Sequence, residues 1–165
     1  MPEKKTVEKA KRARREGKAP STQAGEFVRE EVHHVREGKH GARSTKQAIA
    51  IGLSKAPRAG VDLPPPEKGT VSEKTRRSAE RARKSGRRGK TRTSPRRSQA
   101  TKRALKREGR SAASRKELSK QARSAAQRRT PSERKTSAKR AARTKGRGGR
   151  SAAARKAART RTRRG

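Results

Sequence analysis

The large apolar side chains of this chain nearly all precede a triplet of prolines, Pro64 to Pro66. Phe27, Val28, Val32, Val35, Ile49, Ile51, Leu53, Val61 and Leu63 lie before it, and only Val71, Leu105 and Leu118 follow. Burying roughly 25 cal/mol per Å² of apolar surface must offset about 1–2 kcal/mol of ordering per residue. A chain that is 24% hydrophobic and 41% charged cannot meet that cost along its whole length. Low hydrophobicity with a formal charge of +39 is the compositional pattern of disorder. The sequence therefore predicts a mostly disordered chain with one small all-α module, a two-helix hairpin, and nascent helices in a cationic tail. The expected divisions are a basic N-terminal arm (1–20), the helical module (21–63), a proline hinge (64–66) and a disordered Arg/Lys/Ala/Ser-rich tail (67–165).

Within the module, Ser21 or Thr22 caps a helix on which Ala24, Val28, Val32 and Val35 share a face. Gly38 and Gly41 stop it. Ser44 and Gln47 form a capping box that opens a second helix through about Ala56, which Pro57 ends. Ile49, Ile51 and Leu53 also fit strand alternation, but the capping box and the alanines favour helix. Phe27, Val28, Val32, Val35, Ile49, Ile51 and Leu53 are the expected core or docking face. Ile51, off the face shared by Ile49 and Leu53, predicts cover from a second copy of the chain or from a protein partner. About 40 residues without a disulfide or metal is the lower limit of independent folding.

The segment "EFVREEVHHVREGKHGARSTKQAIAIGLSKAPRAGVDLPPP" resembles a family of small uncharacterised bacterial proteins, the domain of unknown function 6496, over about residues 26–63. The matching positions are Glu26–Glu37, Gly38–Gly41, Lys46–Ala56 and Ala59-Gly60. Gly52 stands where that family has Ala, and Lys55 where it has an acidic residue. The resemblance implies a compact helical module and brings no activity with it. The tail resembles those of histone H1 and bacterial histone-like proteins in composition alone.

With 53 Lys and Arg against 14 Asp and Glu, the expected partner is a polyanion, duplex DNA above all. The predicted function is non-sequence-specific DNA binding by phosphate neutralisation, as in a histone-like nucleoid-associated protein. An RNA- or ribosome-associated basic protein and an adaptor docking through the Ile-rich helix are the alternatives. Arg76, Arg77, Arg87, Arg88, Arg96, Arg97, Arg128, Arg129, Arg147, Arg150, Arg163 and Arg164 are the expected phosphate contacts, because the planar guanidinium matches phosphate oxygens in pairs. "TSPRRS" (93–98) and "RTPSERK" (129–135) read as proline turns that place arginine in a narrow minor groove. Phosphorylation at Ser94 or Thr130 would weaken binding locally. Lys46, Gln47 and Lys55 are exposed in this reading, but they form no recognisable base-reading set.

Other chemistry finds little support in the residues. Cysteine, Trp and Tyr are absent, which excludes disulfides, thiolate metal sites and most base-stacking platforms. "KGRGGRS" (145–151) lacks phosphate-loop spacing and reads as a flexible link. Adjacent His33 and His34 face different sides of a helix and make a poor chelating pair, although His34 and His40 are close enough to meet. Glu30 and Glu31 read as a salt-bridged helix face. No enzyme, cofactor or metal is expected. An N-terminus without an apolar h-region and the absence of any long apolar run predict a cytoplasmic chain that does not insert into membranes.

Overall fold

The structure, a computed structural model, describes residues 2–88 and 94–163, except for the side chains of Thr144 and Arg147. Helix dominates the described residues: α1 (Lys4–Arg15), α2 (Pro20–Arg36), α3 (Thr45–Arg58), α4 (Glu73–Arg87), α5 (Pro95–Arg107), a 3-10 turn (Ser111–Ala113), α6 (Arg115–Gln127) and α7 (Pro131–Thr162). The chain divides into two compact units, residues 1–122 and 123–165.

The expectation of a mostly disordered chain is therefore overturned, and the tail helices are formed rather than nascent. The physical reason lies in which residues make the interior. Counting large aliphatics undervalues this core, because most of it is alanine. One cluster joins Ala10, Ala24, Phe27, Ala56 and Val61; a second joins Val35, Ala42, Ala48, Ala112 and Ala113. Alanine buries little area per residue, but it carries no side-chain entropy cost into a helix and lets backbones approach closely.

The contact of α2 with α3 shows this directly. The α3 residues that reach full burial are Thr45, Ala48, Gly52, Ala56 and Pro57. A Cβ built on Gly52 would lie 2.6 Å from the Val28 Cα and 2.9 Å from the Phe27 carbonyl oxygen. Glycine at this position is thus what the close crossing requires. Phe27 and Val35 are completely buried, whereas Val28, Val32, Ile49 and Ile51 are only partly covered, and Leu53 is 37% exposed. Ser44 caps α3, its Oγ accepting from Gln47 N at 3.2 Å, and Gln47 Oε1 accepts from Arg43 N at 2.7 Å. Lys46–Ala56 is helix throughout, so the strand alternative falls.

Segments outside 21–63 complete the first unit. Helix α1 packs against α2 and buries Thr6, Ala10 and Ala13, spaced i, i+4, i+7. Beyond the prolines, α4 packs against α3, and a Cβ on Gly86 would lie 2.2 Å from the Pro57 carbonyl oxygen. The stretch around 105–113 docks on the α2–α3 loop through its backbone. Gly41 N donates to Leu105 O (2.8 Å) and Ala42 N to Gly109 O (3.0 Å). Thr45 Oγ1 donates to Ala112 O (2.7 Å) and Arg36 Nε to Ala113 O (2.8 Å). A Cβ on Gly41 would fall 1.8 Å from Glu108 O, so only glycine fits.

The second unit is built differently. None of its described residues is buried. Helix α7 starts with a complete capping box: Thr130 Oγ1 accepts from Glu133 N (3.2 Å), and Glu133 Oε2 accepts from Thr130 N (2.7 Å). The expected flexible link at 145–151 lies inside the bounds of α7, which breaks locally at Gly146 with φ of 63°.

Candidate nucleic-acid interface

The expected phosphate-contact arginines fall into two electrostatic settings. Those on α4 are engaged with acids. Arg76 Nε lies 3.1 Å from Glu73 Oε1, and Arg77 lies 4.0 Å from the same carboxylate. Arg87 pairs with Asp62 at 3.4 Å. Asp62 is also gripped by Arg83 through two bonds, Nε to Oδ1 at 2.7 Å and Nη2 to Oδ2 at 3.1 Å. The Arg83 hydrogen bonds, helped by the charge of Arg87, pull the Asp62 carboxyl from 3.8 down to about 2. In the same way Glu73 raises Arg76 further. Such exposed pairs contribute little stability, but they must be broken before these arginines can turn wholly to phosphate.

The second group has no such competition. Arg88, Arg96, Arg97, Arg128, Arg129 and Arg163 are exposed, and none has a carboxylate within 4.0 Å among the described residues. Arg150 is exposed and its Nη1 donates to Ala142 O at 2.8 Å. The Arg147 side chain and Arg164 lie outside the described residues. Glu133 is the only acidic residue in 123–165. It is tied into the α7 cap, where the Thr130 amide and hydroxyl hold its carboxyl below the usual range.

The proline-turn reading of "TSPRRS" and "RTPSERK" does not hold. Pro95 and Pro131 occupy the first turns of α5 and α7, where a missing N–H costs nothing. Arg96 and Arg97 accordingly project from a helix rather than a turn. The Thr130 hydroxyl is engaged in its cap, whereas Ser94 stands at the N-cap of α5 without a side-chain cap bond. Lys55, expected at the surface, is only 20% exposed, its Nζ 3.3 Å from Glu30 Oε1 and 2.6 Å from Glu31 Oε2. Glu30 and Glu31 are correspondingly buried rather than displayed on a solvated face.

Aromatic base stacking has no platform here. Phe27 is the single aromatic residue of the Phe/Trp/Tyr class, and it is fully buried. Among the described residues no helix is long and apolar enough to cross a membrane.

No family model matches the chain, and no curated protein or solved structure matches it.

Proposed function

We propose that this chain binds duplex DNA without reading its sequence, in the manner of a histone-like, nucleoid-associated protein. The observation that carries the reading is the charge balance of 123–165: exposed arginines along helices, with Glu133 alone as internal counter-charge and engaged in a cap. Arg128, Arg129 and Arg163 there are exposed and lie within 4.0 Å of no carboxylate among the described residues. Each phosphate neutralised releases condensed counterions, so affinity falls as salt rises. Contacts of this kind position the protein and carry no sequence information. The lack of an exposed Phe, Tyr or Trp weighs against a single-strand reader.

The test compares the full chain with the quadruple variant R96Q/R97Q/R128Q/R129Q on matched duplex DNA and double-stranded RNA across a salt series. The slope of log K against log salt becomes shallower by about 0.9 for each lost phosphate contact on DNA. Equal affinity for unrelated DNA sequences is the expected result. A preference for structured RNA of about tenfold, roughly 1.4 kcal/mol, would instead favour the ribosome-associated reading. An unchanged slope in the variant would remove these arginines from the interface.

A further inference from the structure

Three chemistry-bearing side chains that the nucleic-acid reading leaves unused converge at one end of α2. Glu31 and His34 stand one turn apart on the helix, the i, i+3 spacing that puts two side chains on one face. His40 arrives from the turn that follows. One ligating atom from each of Glu31, His34 and His40 lies within 4.8 Å of the others. His33, the neighbour whose direction spoiled a His33–His34 pair, points elsewhere and meets Glu37 at 3.0 Å.

The surroundings of this group are those of a prepared site. The Glu31 side chain is 0% exposed, and its two oxygens meet only Lys55 and His40, neither in a well-aligned hydrogen bond. Lys55 Nζ is 2.6 Å from Oε2, an ion pair on the side away from His40 Nε2, which is 3.2 Å from Oε1. A buried carboxylate with unused lone pairs is costly. The His40 ring is fixed from behind: its Nδ1 is 3.0 Å from the Gly41 carbonyl oxygen, which can only accept. Nδ1 therefore carries the hydrogen, and Nε2 faces the Glu31 carboxylate. Glu3 Oε1, 2.9 Å from His34 Nε2, orients the other imidazole. Carboxylate and carbonyl partners of this kind are what hold metal-ligating histidines in place.

We propose that Glu31, His34 and His40 bind one divalent transition-metal ion of the zinc class. Two imidazoles and one carboxylate suit zinc, cobalt, nickel or copper and not the all-oxygen coordination of calcium or magnesium. Three protein ligands leave a further position open. Of the three ligands, His40 also lines a cleft of about 490 Å³, together with Glu37, Lys106, Glu108 and Arg110. The local charge is close to balanced: Glu3, Glu30, Glu31, Glu37 and Glu108 stand against Lys39, Lys55, Lys106 and Arg110, in contrast with the strongly cationic remainder of the chain.

The test is titration of the chelator-treated full chain with Co²⁺, read by its d–d absorption, and with Zn²⁺, read by calorimetry. One ion per chain is expected. H34Q and H40Q should each weaken binding by about tenfold or more, with helicity followed by circular dichroism, while H33Q binds as the parent does. On the unaltered chain, Zn²⁺ should shield His34 and His40, but not His33, from carbethoxylation by diethyl pyrocarbonate. This readout decides the matter should a variant fail to fold. No binding, binding unchanged in folded H34Q and H40Q, binding that depends on His33, or absent shielding would each overturn the site.

Discussion

Residues 1–122 and 123–165 draw on the same Ala, Arg, Lys and Ser, and both are helical, yet what holds the helices differs between them. In the first, helices persist because they bury faces against each other. Its interior is alanine with Phe27 and Val35, sharpened by glycines at Gly41, Gly52 and Gly86 where backbone meets backbone. In the second, nothing described is buried, and the visible supports are local. They are the Thr130–Glu133 box and side-chain bonds to the preceding turn, such as Thr160 Oγ1 to Lys156 O and Thr162 Oγ1 to Ala158 O. High Ala, Arg and Lys propensity is enough to write a helix, but only small residues at helical spacing turn a helix into part of a core.

Three experiments sharpen this contrast. The largest effect is expected from Phe27→Ala, which empties the centre of one core cluster and should cost about 3–5 kcal/mol. Denaturant melting of the full chain should show that loss in the first unit, while amide exchange in α7 stays unchanged. Slowed or quickened exchange in α7 would contradict the independence of its supports.

A matched pair of glycine substitutions comes next. Gly52→Ala forces a methyl into the α2 backbone and should cost about 1–3 kcal/mol by overpacking. Gly148→Ala, in α7 with open space around its Cβ, should instead stabilise helix by up to about 1 kcal/mol. Thermal melts followed by circular dichroism give both signs. The same sign at both positions would erase the distinction.

The smallest effect concerns acid. Asp62 titrates at about 2 in the folded chain against an ordinary 3.8. A carboxyl lowered on folding contributes stability above its unfolded value and loses it as pH falls through the folded one. Asp62→Asn should therefore melt slightly below the parent at neutral pH, with the gap closing between about pH 4 and pH 2. Because the pair is exposed, added salt should shrink the gap as well. Glu133, lowered by its cap, should follow the same direction in the second unit. A gap that persists at pH 2 would mean that Asp62 acts through something other than its charge.

How much of this could be read beforehand differs from element to element. The capping residues of α3 were legible, because that signal is local and written within one turn. Of the face expected on α2, Ala24 and Val35 are buried, but Val28 and Val32 are only partly covered, and Phe27 and Glu31 take their place. The interior of α3 was not legible. Ile49, Ile51 and Leu53 draw the eye, yet Ala48, Gly52 and Ala56 make the contact, since closeness rather than area decides that crossing. The spacing of Thr6, Ala10 and Ala13 would have revealed the buried face of α1 had alanine been counted as apolar there. Docking of 105–113 had no signal at all. It proceeds through main-chain groups and Ala112–Ala113, which look like the Ser-Ala-Ala runs at 124–126 and 151–153. The histidine cluster depended on the turn after α2, whose path brings His40 to His34 within 6.2 Å between ring centres.

The glycine at position 52 also bears on how such a chain can drift over generations. Any side chain there strikes backbone of the neighbouring helix, so change in that direction carries a penalty. On the outer faces, arginine and lysine exchange at little cost to folding, and the exposed helices set few limits beyond charge. Divergence should then run nearly unchecked over the surface while a handful of small interior residues stand still. Two descendants could share a fold and a charge yet agree at few positions besides their alanines and glycines.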